Sequence, residues 1–362
     1  MKKQGTQRKT SLSGMLNYVI VIGAYALLQV LIGGGLLSNA LQSVLVPACC
    51  YMVMAVSLNL TVGISGELSL GHAGFMSLGA FSGIITAVAL QNLIPFAPLR
   101  LAISMVVGAV FGALGGFVVG VPVLRLRGDY LAIVTLAFGQ IIQNIIMILY
   151  IGVDSKGIHI TTDSARLVLA EGGTAIVKGP MGAVGAPKLA TFTAGAVLLL
   201  ITLFVVQNLV NSRSGRAILA LRDNRIAAES VGIPAGKYKL MAFVTSAALA
   251  GAAGALFGLN YSSTVASKFN FNTSILVLVF VVLGGLGNIR GSMIAAALLY
   301  VLPELLRGFN IAEYRMLLYA VILILVMLFT NNPTLQSFFG GLKEKIWKKK
   351  PKTTVKGGGA NE

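Results

Sequence analysis

Ten stretches of this chain are apolar over the roughly 20 residues a helix needs to cross the hydrocarbon core of a bilayer, or come close to it. They run from Met15 to Leu37, Ala40 to Val62, Ala73 to Asn92, Leu99 to Leu124, Tyr130 to Gly152, Leu189 to Val210, Leu240 to Tyr261, Ser274 to Gly287, Gly291 to Leu306 and Tyr314 to Thr330. With 56% hydrophobic against 11% charged residues, the chain cannot hide its apolar surface in one soluble core, and lipid is its natural solvent. The expected fold is an all-α integral membrane protein of about ten transmembrane or partly spanning helices, because helices satisfy their own backbone in lipid. The 43 glycines read as close-packing positions between such helices. Residues 1–14 read as a polar tail, 15–330 as the membrane domain, 211–239 as a loop within it, and 331–362 as a basic tail.

The formal charge of +17 does not gather on one soluble face, as a nucleic-acid footprint should, but sits between apolar runs. Placing the N-terminal Lys2, Lys3, Arg8 and Lys9 in the cytoplasm puts 20 of the 28 basic residues on that side, with both termini there. Shifting the count by one helix would expel the basic loop between Asn211 and Lys239, so the asymmetry supports count and orientation together. The lysines near Trp347 read as a tail held against anionic lipid heads. The first stretch is followed by Ser38-Asn39-Ala40, small residues that suit a peptidase. It is longer than the 7–15 residues usual for a signal-peptide core, and it reads as a retained span. Cys49 and Cys50 are adjacent and read as buried thiols.

No GxxxxGK[ST] loop occurs, so any ATP is expected to be handled by a partner subunit, with no cofactor bound by this chain. Two histidines, His72 and His159, without further Cys or His nearby, do not make a metal site. There is no GxSxG elbow and no carboxylate pair at catalytic spacing, which leaves a membrane enzyme a weak reading.

The loop from Ser212 to Lys239 reads as two short helices, the first from about Gly215 to Arg222. After a break at Asp223-Asn224, Asn224 is a good N-cap for Arg225 to Val231, with Gly232 and Pro234 as the stop. A two-turn helix is marginal alone and needs a surface, either a protein partner or lipid head groups.

A second feature is the run from Gly63 to Gly74, where Gly63, Gly66, Gly71 and Gly74 argue against a continuous helix and Ser65, Glu67, Ser69 and His72 supply polar groups. Gly284, Gly285, Gly287 and Gly291 make a comparable break late in the chain. Paired breaks point to a substrate path or to tight helix packing. Glu67 and His72 are expected near the cytoplasmic surface, where solvation is ordinary. Arg125 and Arg127 are expected to pair with Asp129 at the start of the fifth span. Gln140, Gln143 and Asn144 share one helical face and suit either a pore lining or an interhelical hydrogen bond.

The segments GISGELSLGHAGFMSLGA, RGDYLAIVTLAFGQII, SRSGRAILALRDNRIAAESVGIPAGKYKLMAFVTSAALAGAAGAL and VVLGGLGNIRGSMIAAALLYVLPELLR, followed by EYRMLLYAVILILVMLF, closely resemble the LivM-type permeases of branched-chain amino acid ABC importers. The resemblance covers roughly Asn59 to Phe329. It implies a permease subunit in the plasma membrane that works beside a LivH-like permease, two ATP-binding cassette subunits and an extracytoplasmic substrate-binding protein. It further implies that the loop carrying Arg216, Arg222, Asp223, Asn224, Ala227, Ala228, Glu229 and Gly232 is an EAA-type coupling helix fitting a groove on the ATPase. Arg225 departs from the acidic residue frequent there, residues 154–178 are longer and more divergent, and Asn331-Asn332-Pro333 replaces the usual Arg-Pro-Gln-Gly ending. The expected cargo is a branched-chain or similar small amino acid, with an amide, urea or nucleoside as the alternative. An ion-coupled carrier should carry membrane-embedded acids, and the predicted helix interiors hold none.

Overall fold

The first nine apolar stretches are helical over most of their length in the structure, a computed structural model that describes residues 4–124, 129–154, 157–164, 173–307, 321 and 324. The chain divides into two compact units, Met1–Asn310 and Ile311–Glu362, and all elements described here belong to the first. They are α1 (Gln4–Gly33), α2 (Asn39–Asn59), α3 (His72–Ala89), α4 (Ala97–Val123), α5 (Asp129–Ile148), α6 (Phe192–Asn211), α7 (Arg213–Asp223), α8 (Arg225–Ser230), α9 (Ala235–Gly258), α10 (Phe271–Gly284) and α11 (Ile289–Arg307). Seven of these, α1 to α6 and α9, are long and apolar enough to cross a membrane. Helix α10 is shorter, at 14 residues. The tenth expected span, 314–330, lies outside the described residues except for 321 and 324, as do Arg125 and Arg127 and the basic C-terminal tail.

Helix ends differ from the sequence reading in informative ways. The first helix begins at Gln4, so part of the expected polar tail is helical, and it stops before Gly35 at φ 68°. Helix α9 starts at Ala235, five residues before the expected Leu240, which brings Lys239 inside it.

Helix α2 is the axis of the fold. Its apolar window is 89% buried against 11% for α1, and it carries the fully buried Val53, Met54 and Leu58. Around it pack α6, α9, α10 and α11. Tyr51 of α2 stacks on Tyr300 of α11 at 4.5 Å between centroids and meets Phe257 and Phe280 edge-on. Cys49 and Cys50 are both buried and free.

Helices α3, α4 and α9 form the tightest bundle. A Cβ added at Gly112 would lie 2.9 Å from Gly251 Cα, and one at Gly108 would lie 3.0 Å from Gly251 O. Backbones this close give dispersion contact between helices that have no hydrophobic drive to associate in lipid.

The sequence reading contained no strand, yet the segment after α5 folds into a small antiparallel sheet. Its strands are β1 (Tyr150–Asp154), β2 (Gly157–Thr161), β3 (Thr174–Lys178), β4 (Ala183–Val184) and β5 (Ser263–Thr264), in the order β2-β1-β3-β4-β5. Tyr150 to Gly152, expected to end the fifth span, instead open β1 and pair with both β2 and β3. Ile151, Ile176 and Val177 are buried, which gives the sheet an apolar anchor.

Candidate functional site

The most structured feature outside the long helices is the loop between α6 and α9. Ser212 caps α7, its Oγ accepting from Gly215 N at 3.1 Å, and the helix turns Ile218 and Leu221 inward. At Asn224 the backbone leaves the helical region, at φ −153°, and Oδ1 accepts from Ala227 N at 3.0 Å to start α8. A cap of this kind contributes about 1 kcal/mol. Arg225 and Glu229 pair along α8 at 2.9 Å. Gly232, at φ 84°, takes the left-handed conformation that ends the helix, and Ile233 N bonds back to Ala228 O at 3.1 Å. The break, the cap and the stop fall where the sequence predicts, with ends moved by one or two residues.

Helix α8 is held from one side only. Ala228 joins Leu221 and Ala235 in a buried cluster flanked by Ala220, Ile233 and Tyr238. On the other side Ile226 is 81% and Val231 75% exposed, on a loop otherwise rich in charge. Arg216 caps the end of α6 through Nη1 to Asn211 O at 3.2 Å.

Both flanks of this loop grip the first glycine break. Helix α2 runs on through a wider π turn, Leu60–Ile64, before the chain leaves the helix at Ser65. From one flank Arg222 Nη1 donates to Gly63 O at 2.9 Å while Nε and Nη2 hold Asp223 Oδ1. From the other flank Lys239 forms an ion pair with Glu67, with side chains only 11% and 13% exposed. The same break also meets the second one. Asn59 is fully buried; its Oδ1 accepts from Gly287 N at 2.8 Å, and its Nδ2 donates to Ser292 Oγ at 2.6 Å. Gly287 sits at φ 81°, and a Cβ at Gly63 would strike its backbone. Gly284 lies against Gly291 and Ser292 across the turn, and Gly285 turns the chain at φ 91°.

Glu67 and His72 are therefore not a solvated surface pair. Glu67 has its counter-charge from α9, because that helix starts early enough to present Lys239. His72 is 2% exposed, with Nε2 2.9 Å from Ser57 Oγ. Ser65 and Ser69 are buried with hydroxyls that find no partner among the described residues. The amide face of α5 is divided: Gln143 is buried with Oε1 unpartnered, Gln140 is half-buried and Asn144 is exposed. The structure thus brings Glu67, Arg222, Asp223 and Gly287 to one junction and leaves the α5 amides outside it. Sequence reasoning passed over Asn59, Lys239 and Ser292. The available signal for Asn59 was an amide within an apolar span, which is unfavourable in lipid without a partner.

Breaking one side of the buried ion pair should matter more than removing both. Glu67→Gln leaves the Lys239 ammonium uncompensated and should lower stability by about 3 kcal/mol, whereas Glu67→Gln with Lys239→Met should recover most of it. Denaturant titration of the purified variants reads the difference; equal losses would mean that the pair is solvated.

Comparison with known proteins gives this junction its context. Residues 40–327 match the family described as branched-chain amino acid transport system / permease component. The chain belongs to this family. The permease is 36% identical over 290 residues to the high-affinity branched-chain amino acid transport system permease protein LivM of Escherichia coli, covering 77% of this chain and 66% of that relative. It thus spans just under two thirds of the length of the Escherichia coli and Salmonella typhimurium LivM proteins it matches. It is also 33% identical over 117 residues, 32% of this chain and 38% of the relative, to the permease protein LivH of Salmonella typhimurium. To the fructose import permease protein FruG of Bifidobacterium longum it is 23% identical, over 78% of this chain and 79% of the relative. No solved structure matches the permease.

Proposed function

We propose that this permease is one membrane-spanning subunit of an ATP-driven importer of branched-chain or similar small amino acids in the plasma membrane. Its partners are a LivH-like permease, two ATP-binding cassette subunits and an extracytoplasmic substrate-binding protein, and both termini face the cytoplasm. The observation that carries the reading is α8. It is a capped six-residue helix with Ala228 packed inward and Ile226 presented outward, followed directly by the exposed Val231. A helix this short persists only on a supporting surface, and its exposed aliphatic side chains call for a second one. That second surface is a groove on the ATPase.

Motion of the docked α8 reaches the membrane through Arg222 and Lys239, which hold the glycine break at 63–67 from both flanks. That break in turn lies against Gly287, so one displacement acts on both glycine-broken helices. ATP binding then favours one access state through contacts that differ between the two conformations, and hydrolysis restores the other. An amino-acid cargo is favoured over a sugar by the greater identity to LivM than to the fructose permease.

Reconstitution tests the reading directly. Uptake into proteoliposomes should require the ATPases, the second permease and ATP; uptake by this chain alone under an ion gradient would overturn it. Glu229→Arg replaces the 2.9 Å pair with Arg225 by two like charges one turn apart. The assembly should then hydrolyse ATP with uptake reduced at least fivefold while membrane insertion is unchanged, and normal uptake would count against ATPase docking at α8.

A further inference from the structure

Beside the coupling junction, with Gly287 in its wall, a cavity opens where α1, α6 and α11 converge. This cavity, at one end of the helices, measures about 310 Å³; its polar lining comes from Asn17, Gln207, Asn211, Asn288 and Arg290, with Val210 and Ile289 among its apolar walls. Its chemistry is one-sided. Arg290 gives Nε to Asn17 Oδ1, which fixes the guanidinium, but Arg290 Nη2 is buried with no hydrogen-bond partner among the described residues. Gln207 is 9% exposed and its Nε2 is likewise buried without a partner. The first turn of α11 adds the positive end of a 19-residue helix at Ile289 and Arg290. Two buried donors left unmade are unfavourable, and together with a helix start they describe a seat for an anionic oxygen group.

A second cavity of about 230 Å³ follows along the same three helices and is lined by Val21 and Leu28 of α1, Ala196 and Leu199 of α6, and Met293 and Ala297 of α11. The registers agree. Val21 follows Asn17 by four residues on α1, and Met293 follows Arg290 by three on α11, so each pair shares a helix face. Asn17 in the first cavity and Leu28 in the second are roughly 16 Å apart along α1 at 1.5 Å per residue, the length of a good part of an acyl chain. Among the described residues, no carboxylate lines either cavity.

We infer that α1, α6 and α11 form a site for an anionic glycerophospholipid, its phosphate held by Arg290 Nη2 and Gln207 Nε2 and an acyl chain lying in the groove above. The Arg290 guanidinium and the start of α11 favour a head group of net negative charge over a zwitterion. The apolar continuation distinguishes a lipid from free phosphate. The orientation under Proposed function, on which this assignment rests for the leaflet alone, places the head group at the cytoplasmic face. There Arg290 follows the positive-inside bias. Helix α1 is otherwise loosely held, with Met15, Val19, Ile22 and Val30 more than half exposed, and a lipid wedged against α6 and α11 would fix it.

Native mass spectrometry of the delipidated full chain, titrated with phosphatidylglycerol, phosphatidylethanolamine or inorganic phosphate, tests this. One phosphatidylglycerol should bind per chain at least tenfold more tightly than phosphatidylethanolamine, and inorganic phosphate should neither bind nor raise the melting temperature. Arg290→Gln should weaken phosphatidylglycerol binding at least tenfold. Because Arg290 also holds Asn17, two further variants guard against misfolding. Gln207→Leu removes a nitrogen that has no partner among the described residues, and Ala196→Phe fills the groove while leaving both donors in place; both should fold and both should lose the lipid. Unchanged binding in Gln207→Leu and Ala196→Phe overturns the site, and phosphate binding equal to that of the lipid reduces it to an anion seat. No transport is measured, so failure of the importer reading would leave this result standing, and the reverse.

Discussion

Ile226→Asp should abolish at least nine tenths of ATP-driven uptake while the protein inserts, folds and purifies as before. Ile226 is 81% exposed, so its replacement disturbs no internal contact. It stands second in α8, where an acidic residue is favoured by the helix dipole, so the variant should firm the helix rather than melt it. What remains to be lost is the partner. Burying an isoleucine side chain at an interface contributes about 1.5–3 kcal/mol, a factor of roughly ten to a hundred in association, and a carboxylate in its place adds a desolvation cost. The ATPase subunits should therefore fail to co-purify, and uptake in proteoliposomes should fall with them. Wild-type uptake and co-purification would show that α8 touches no ATPase and lies on lipid head groups instead. Ala228→Asp would not discriminate, since Ala228 is 4% exposed within the cluster with Leu221 and Ala235, and its loss would unmake the loop itself.

The contrast between these two neighbours shows what a sequence can and cannot carry. Asn224 as a cap and Gly232 as a stop are local chemistry. A side-chain oxygen finds an amide three residues on, and a glycine takes a positive φ, so both were legible from a few adjacent letters. Hydropathy located nine helical stretches for the same reason, seven of them long and apolar enough to cross a membrane, because lipid judges each segment by itself. The π turn at Leu60–Ile64 and the sheet were not legible in this way. Tyr150-Ile151-Gly152 continues the apolar run of α5, and only pairing with residues 159–161 and 175–178 makes it a strand. Partners distant in sequence leave no periodic mark on a run this short.

The junction repeats the lesson at the scale of side chains. Glu67 could be singled out as an acid near a glycine break, but its partner lies 172 residues away. Lys239 becomes available only because Pro234 starts α9 five residues before its apolar run. Asn59 reaches Gly287 across 228 residues of chain. That the chain carries two comparable glycine breaks was a pattern in the sequence; that they touch, with one loop gripping the first from both flanks, is tertiary. A reading from residues alone therefore found the parts of this device and left their connection open. In the proposed mechanism that connection is the useful part. A push on α8 that reached only one break would bend one helix, whereas a push on an interlocked pair changes the spacing of two.

The interlocking rests on a bundle with little tolerance, and Gly251→Val should expose that limit by preventing a stable fold. A Cβ at this position would fall well inside contact distance of Gly108 O and 3.0 Å from Gly112 Cα, and neither is a side chain that can rotate away. Helix α4 would have to retreat. Its opposite face gives no alternative: Val106, Val110, Leu114 and Phe117 point outward and are more than 49% exposed, while Gly108, Gly112 and Gly116 form the middle of its contact face. In lipid this face gains no hydrophobic drive from closing, so its attraction is dispersion, which a gap of 0.5–1 Å already cuts by roughly a quarter to a half. The expected loss is about 3 kcal/mol, the upper end for overpacking, with folded yield in detergent and resistance to denaturant falling together. Gly23→Val is the matched control, because nothing lies within 4 Å of a Cβ there, and it should stay within about 0.5 kcal/mol of the parent. Equal stability of the two variants would mean that α4 and α9 are not packed backbone to backbone. The glycines would then be hinges rather than the seam along which α3, α4 and α9 are joined.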